Sequence, residues 1–189
     1  MMRRHRLCFA ITVLGLSVYG QLAVAQGSGS SRSTPSKPAR PQTTQEFADS
    51  LWRFIVRPES PYTKWAAIPA GKVEHRPEIG KAHGGNAKIY ANPTAMQDLS
   101  SPPQGSIFVI DDYADGGKTR NNVSIMYRAK GTDPEHNDWY WLRYLPNGSI
   151  AKADDNPGAK PIAGKVKSCI DCHEKAGGKD WVFSNDQSE

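Results

Sequence analysis

The stretch SIFVIDDYADGGKTRNNVSIMYRAKGTDPEHNDWYWLRYL, residues 106–145, decides the fold of this chain. It holds three runs rich in β-branched and aromatic side chains, which favour strands. Asp115-Gly116-Gly117 and Asp133-Pro134 separate the runs with residues that favour turns. Runs joined by such short connections pair as antiparallel neighbours, because a parallel pair needs a longer crossover. With one further run upstream, the predicted strands are residues 87–92, 106–113, 122–130 and 138–145.

A helix is predicted on either side of this sheet in the sequence. Thr43 and Glu46 have the spacing of a capping box, and the amphipathic run that follows ends before Pro58. A second helix is predicted over residues 166–176, with Ser168 as its N-cap. The pattern indicates an α+β fold: a small antiparallel β-sheet with an N-terminal helix and a C-terminal helix.

The N-terminal region has the pattern of an export signal. Arg3, Arg4 and Arg6 precede an apolar stretch at 7–19, and Ala-Val-Ala at 23–25 offers a cleavage site. We therefore expect a signal peptide over 1–25, a periplasmic mature protein and no stable membrane span. Residues 26–44 are rich in Ser, Pro and Gly, which predicts a flexible linker. The domain is then expected to span 45–189.

The charge balance excludes a nucleic-acid-binding surface. The chain of 189 residues has 24 basic and 19 acidic residues, for a net charge of +5. The signal and linker, however, carry several of the basic residues and no acidic one. The predicted domain is close to neutral, so no basic face for nucleic acid is expected.

The most informative motif is Cys169-x-x-Cys172-His173, the attachment pattern of c-type haem. On a helix, positions i, i+3 and i+4 share one face, so two thioethers and a proximal imidazole would point the same way. The alternatives are a zinc knuckle, a plain disulfide and a thioredoxin-like pair. No further cysteine follows to complete a zinc site, and no βαβ pattern surrounds the motif. We expect one covalent haem c with His173 as its axial ligand.

Several short motifs, in this order, resemble the cytochrome P-460 and cytochrome c-prime-beta family between Tyr62 and Phe183. They are Tyr62-x-x-Trp65, His83-Gly84, Ile89-Tyr90-x-Asn92-Pro93, Gly105-Ser-Ile-Phe-Val109, Ser124-Ile-Met-Tyr-Arg128, Asp138-Trp-Tyr-Trp141, the haem motif and Asp180-Trp-Val-Phe183. The resemblance implies a small antiparallel sheet with flanking helices, haem packed against the sheet, and a homodimer.

The resemblance also implies two functional branches. One oxidises hydroxylamine or related nitrogen compounds and has a strand lysine cross-linked to the porphyrin. The other keeps an ordinary haem c and binds gases such as nitric oxide. The lysine position is Ile110 in this chain, and the nearest lysine downstream is Lys118, beyond the turn. This departure favours the gas-binding branch over the enzymes.

Further candidates could complete the haem site. His83 is the candidate for the distal side, as a ligand, hydrogen-bond donor or proton shuttle, and Met126 is a second candidate ligand. Asp111 and its neighbour Asp112 are candidates for acid–base chemistry if they face the haem. Phe108 is a candidate for haem packing, and Arg128 for pairing with a haem propionate.

Three functions remain open from the sequence. The favoured one is binding of a small nitrogen or oxygen ligand, such as nitric oxide, at a largely open iron. The alternatives are an oxidoreductase acting on hydroxylamine or related compounds, and a periplasmic electron-transfer cytochrome with a redox partner protein. A sixth protein ligand would favour electron transfer, and it would have to come from upstream, because no Met or His follows His173.

Overall fold

A computed structural model describes residues 43–68, 83, 86–176 and 180–183. The predicted signal peptide and nearly all of the predicted linker lie outside these residues. Within them, no helix is long and apolar enough to cross a membrane.

The core of the fold is a six-stranded antiparallel sheet whose strands follow one another in sequence order. The α+β prediction is confirmed, and the four predicted strands are present within about two residues at each end, apart from β4, which starts three residues earlier. The strands are β1 (Ala66–Ile68), β2 (Lys88–Ala91), β3 (Ile107–Ala114), β4 (Thr119–Arg128), β5 (Trp139–Tyr144) and β6 (Ala163–Gly164). Sequence reasoning missed β1 and β6, which are too short to show a periodicity.

Helix α1 (Thr44–Ile55) forms as predicted. Thr43 Oγ1 accepts a hydrogen bond from Glu46 N at 3.2 Å, and Thr43 N donates to Glu46 Oε2 at 3.1 Å. Both halves of the capping box are therefore made. Its apolar stripe of Phe47, Leu51 and Ile55 is buried.

Helix α2 (Lys167–His173) carries the haem motif and is shorter than the predicted span. Val166 is its N-cap and no side chain caps its start, so the prediction of Ser168 as the cap is wrong. Gly177 and Gly178, expected to end the helix, lie outside the described residues.

The two faces of the sheet have different partners because successive strand residues point to opposite sides. One face, here the helix face, packs against α1 and includes Val123, Ile125 and Tyr127 of β4. The other, here the cavity face, includes Met126 and packs against Ile170 of α2. Buried aromatic residues of the cavity face are Phe108, Trp139 and Trp141.

Candidate haem site

The haem motif lies beside a cavity between α2 and the cavity face of the sheet. Cys169, Cys172 and His173 all line this cavity, whose volume is about 250 Å³. The two cysteines do not form a disulfide with one another, and both are half-buried. Burial raises the pKa of the Cys169 thiol, and nearby Arg143 offsets part of that rise. The helical spacing therefore brings two sulfur groups and one imidazole to a single space.

His173 is held in the form that binds a metal. Its Nδ1 lies 2.8 Å from the carbonyl oxygen of Trp181, which requires Nδ1 to be the protonated nitrogen and leaves the lone pair on Nε2. Burial lowers the pKa of His173 to about 4. The ring is therefore neutral near neutral pH, as a metal-ligating histidine must be.

The segment after α2, residues 180–183, is fastened to the sheet and supplies that carbonyl. The Asp180 carbonyl accepts a hydrogen bond from Trp139 Nε1 at 2.8 Å. The Asp180 carboxylate forms an ion pair with Arg128 at 3.2 Å. Trp181 adopts a left-handed backbone conformation, with φ of 64°, which is uncommon outside glycine. These contacts fix the backbone at Asp180. The carbonyl of the next residue, Trp181, then orients His173.

Arg128 belongs to this anchoring system and does not line the cavity. It also donates from Nε to the Asn137 carbonyl at 3.1 Å and from a terminal nitrogen to the Pro102 carbonyl. Pairing of Arg128 with a propionate stays a prediction. Phe108 is buried in the cluster of the cavity face, with its ring 6.0 Å from that of Trp139. Its packing against haem stays a prediction.

The wall opposite α2 carries a chain of polar groups. His83 Nδ1 lies 3.3 Å from Asp112 Oδ1, and the side chains are 12% and 6% exposed. Ser124 donates to the other Asp112 oxygen at 3.2 Å. Arg143 in turn donates from Nε to Ser124 Oγ at 3.1 Å. His83, Ser124 and Arg143 all line the cavity.

Strand alternation separates the two aspartates that the sequence offered as candidates. Asp111 lies on the side away from the cavity, where it accepts a hydrogen bond from Tyr62 at 2.6 Å and lies 3.7 Å from Arg120. Asp112 is the carboxylate next to His83. The signal that could have chosen between them is the i, i+2 spacing from Ile110 to Asp112.

Ile110 and Met126 complete the apolar part of the cavity wall. The position where the resemblance implies a cross-linking lysine therefore faces the haem motif, and here it carries a hydrocarbon side chain. Met126 is 5% exposed and pairs with Phe108 and Trp141 across the sheet.

The residues around the cavity fit a haem. Trp141 is 2% exposed, lines the cavity, and its ring centre is 4.6 Å from that of His173. Its indole N–H has no hydrogen-bond partner among the described residues. Buried donors are rarely left in this state, so the cavity has room for a group that brings an acceptor. Two thiols, a neutral imidazole, apolar walls and this unused donor are a donor set suited to haem.

Comparison with known proteins agrees with this chemistry. The family model described as Cytochrome P460 matches residues 60–184, well over half of the 189 residues. No curated protein matches the chain. The matched range includes β1 to β6, α2 and every residue named above as lining the cavity. The chain therefore belongs to the cytochrome P460 family and is a haem protein.

Proposed function

We propose that this protein is an exported, periplasmic cytochrome that carries one haem c, held by thioethers to Cys169 and Cys172 with His173 as the proximal ligand. Support comes from the convergence of these three side chains on one cavity, and from the Trp181 carbonyl that keeps His173 Nε2 available. When bound, the haem supplies an iron centre for ligand binding and one-electron chemistry.

The proposed role is to bind a small neutral nitrogen or oxygen ligand, such as nitric oxide, at the iron. The observation that carries this proposal is the side chain of Ile110 in the cavity wall. An isoleucine cannot form the lysine cross-link of the hydroxylamine-oxidising branch. Together with Met126, Ile110 makes its part of the wall apolar, which favours neutral diatomic molecules over anions there, because an anion would lose its hydration.

Electron transfer is a second candidate function, and His83 favours it. Its ring lies across the cavity from His173, so a second protein ligand is within the same space. A six-coordinate iron of this kind would exchange electrons with a redox partner protein without binding a substrate.

The covalent attachment is tested by maturing the full chain in a host that attaches haem c. We expect haem to remain with the denatured wild-type polypeptide, and to be lost from Cys169→Ala/Cys172→Ala. A cysteine-free variant that retains covalent haem would contradict the attachment.

The ligand role is tested on the reduced haem-loaded protein. Added nitric oxide should shift the visible spectrum at stoichiometric amounts. Hydroxylamine with an artificial electron acceptor should show no turnover above that of free haem. Sustained turnover would instead support the oxidoreductase, and a spectrum that ignores nitric oxide would support electron transfer.

A further inference from the structure

Two histidines face one another across the cavity at a distance that suits a shared metal. The ring centres of His83 and His173 are 6.5 Å apart, and the ring planes are inclined by 81°. An imidazole nitrogen binds a transition metal such as zinc at about 2.0–2.1 Å, so two such bonds occupy about 4.1 Å of that 6.5 Å span. About 1.2 Å remains for each ring, which is close to the centre-to-vertex distance of a five-membered ring.

In both histidines, Nδ1 is the ring nitrogen that contacts the surrounding protein. In His173, Nδ1 is directed to the Trp181 carbonyl; in His83, Nδ1 lies 3.3 Å from Asp112 Oδ1. Each contact uses Nδ1 and leaves Nε2 for another partner. Histidines that bind metals usually have a carbonyl or carboxylate on the second nitrogen, which fixes the ring and its tautomer.

The support of His83 extends beyond Asp112. Ser124 holds the other carboxylate oxygen, and Arg143 holds Ser124. His83 Nδ1 and Asp112 Oδ1 are at ion-pair distance, and neither has a hydrogen-bond partner in the described part of the chain. Asp112 therefore has one oxygen secured by the sheet and the other free to orient His83.

We propose that His83 is a displaceable second axial ligand of the haem iron, positioned by Asp112, and that small ligands bind by displacing it. This rests on the proposed function and adds a mode of regulation to it. The step exchanges one neutral iron ligand for another: the bond to His83 Nε2 breaks, the bond to the incoming molecule forms, and no electron or proton is transferred. Met126 lies in the apolar cluster with Phe108 and Trp141 and serves as packing.

The test uses carbon monoxide as the probe and the reduced, haem-loaded full chain. We expect the wild-type spectrum to be six-coordinate and low-spin. Its rate of carbon monoxide binding should reach a plateau as the gas concentration rises, because departure of His83 becomes limiting. His83→Ala should be high-spin, with a rate that stays proportional to gas concentration. With an open state populated at roughly 0.1–10%, the apparent affinity should rise about ten- to a thousandfold.

Matched variants identify the ligand. Met126→Leu should keep the low-spin spectrum, because Met126 does not bind the iron. Asp112→Asn should also keep the low-spin spectrum, with a smaller gain in affinity than His83→Ala. Adding imidazole to His83→Ala should restore the low-spin spectrum, which also shows that this variant has folded around its haem.

A five-coordinate wild type that binds carbon monoxide as fast as His83→Ala would overturn the proposal. Loss of the low-spin spectrum in Met126→Leu but not in His83→Ala would also overturn it. If the spectra behave as expected but nitric oxide and carbon monoxide bind to neither protein, His83 ligation stands and the proposed ligand-binding function fails.

Discussion

Two buried tryptophans on β5 provide a matched pair of substitutions that measures how strongly residues 180–183 are anchored to the sheet. Trp139 and Trp141 are 0% and 2% exposed and share the cavity face of the same strand. Trp139 donates its indole N–H to the Asp180 carbonyl at 2.8 Å. The indole N–H of Trp141 has no partner among the described residues. Replacing each by Phe removes the same atoms, but only one replacement breaks a hydrogen bond.

Trp139→Phe should therefore cost more stability than Trp141→Phe. Both variants lose similar packing, so that term largely cancels in the comparison. Trp139→Phe in addition leaves a buried carbonyl without its donor, which costs about 1–3 kcal/mol. With a urea m-value of about 2 kcal/mol/M, the unfolding midpoint should lie about 0.5–1.5 M lower for Trp139→Phe than for Trp141→Phe.

The assay is urea unfolding of the full chain without haem, followed by far-ultraviolet circular dichroism, because bound haem would offer the Trp141 N–H an acceptor. In the haem-loaded chain, Trp139→Phe should also raise the reduction potential, because a loosened Trp181 carbonyl makes the His173 imidazole less basic. Equal midpoints for the two variants, or a lower one for Trp141→Phe, would refute the reasoning that Asp180 is fastened through Trp139.

Three further predictions concern the fold around the site. Gly148 has φ of 86°, and a Cβ there would overlap the Trp52 indole, so Gly148→Ala should destabilise the protein by about 2–5 kcal/mol. Gly131→Ala, with φ of 77° and open space around it, should cost only about 1–2 kcal/mol in the same urea titration. Burial raises the pKa of Asp111 above its ordinary 3.8, so its contribution to stability is present below that pH and is lost as pH rises through the folded value. The unfolding free energy of the wild type should consequently fall relative to Asp111→Asn as pH rises from 3.8, and a constant difference between them would count against this pKa shift. Phe47→Ala should cost about 3–5 kcal/mol in urea unfolding and leave the haem spectrum unchanged, because Phe47 packs on the helix face.

Sequence reasoning predicted the parts of the molecule that repeat or follow a fixed spacing. Strands β2 to β5 and the capping box at Thr43 have local patterns, and the family assignment followed from the order of short motifs. The grouping of Cys169, Cys172 and His173 follows from helix geometry alone. Each of these depends on residues near one another in the chain.

The missed features depend on contacts between distant residues. The carbonyl of Trp181 orients His173, but a backbone oxygen has no signature in sequence. The choice of Asp112 over Asp111 requires knowing which face of β3 meets the cavity. The sequence indicates His83 as a candidate for the distal side, but its distance from His173 could only be read from the structure.

The two faces of the sheet have different roles. One is covered by α1 and supports stability, and the other borders the cavity of the haem motif. The helix face is covered by α1 with buried apolar side chains. On the cavity face, the buried indole N–H of Trp141 has no hydrogen-bond partner in the described chain. Such atoms cost stability until a partner arrives. Binding of haem should thus stabilise the cavity face in particular.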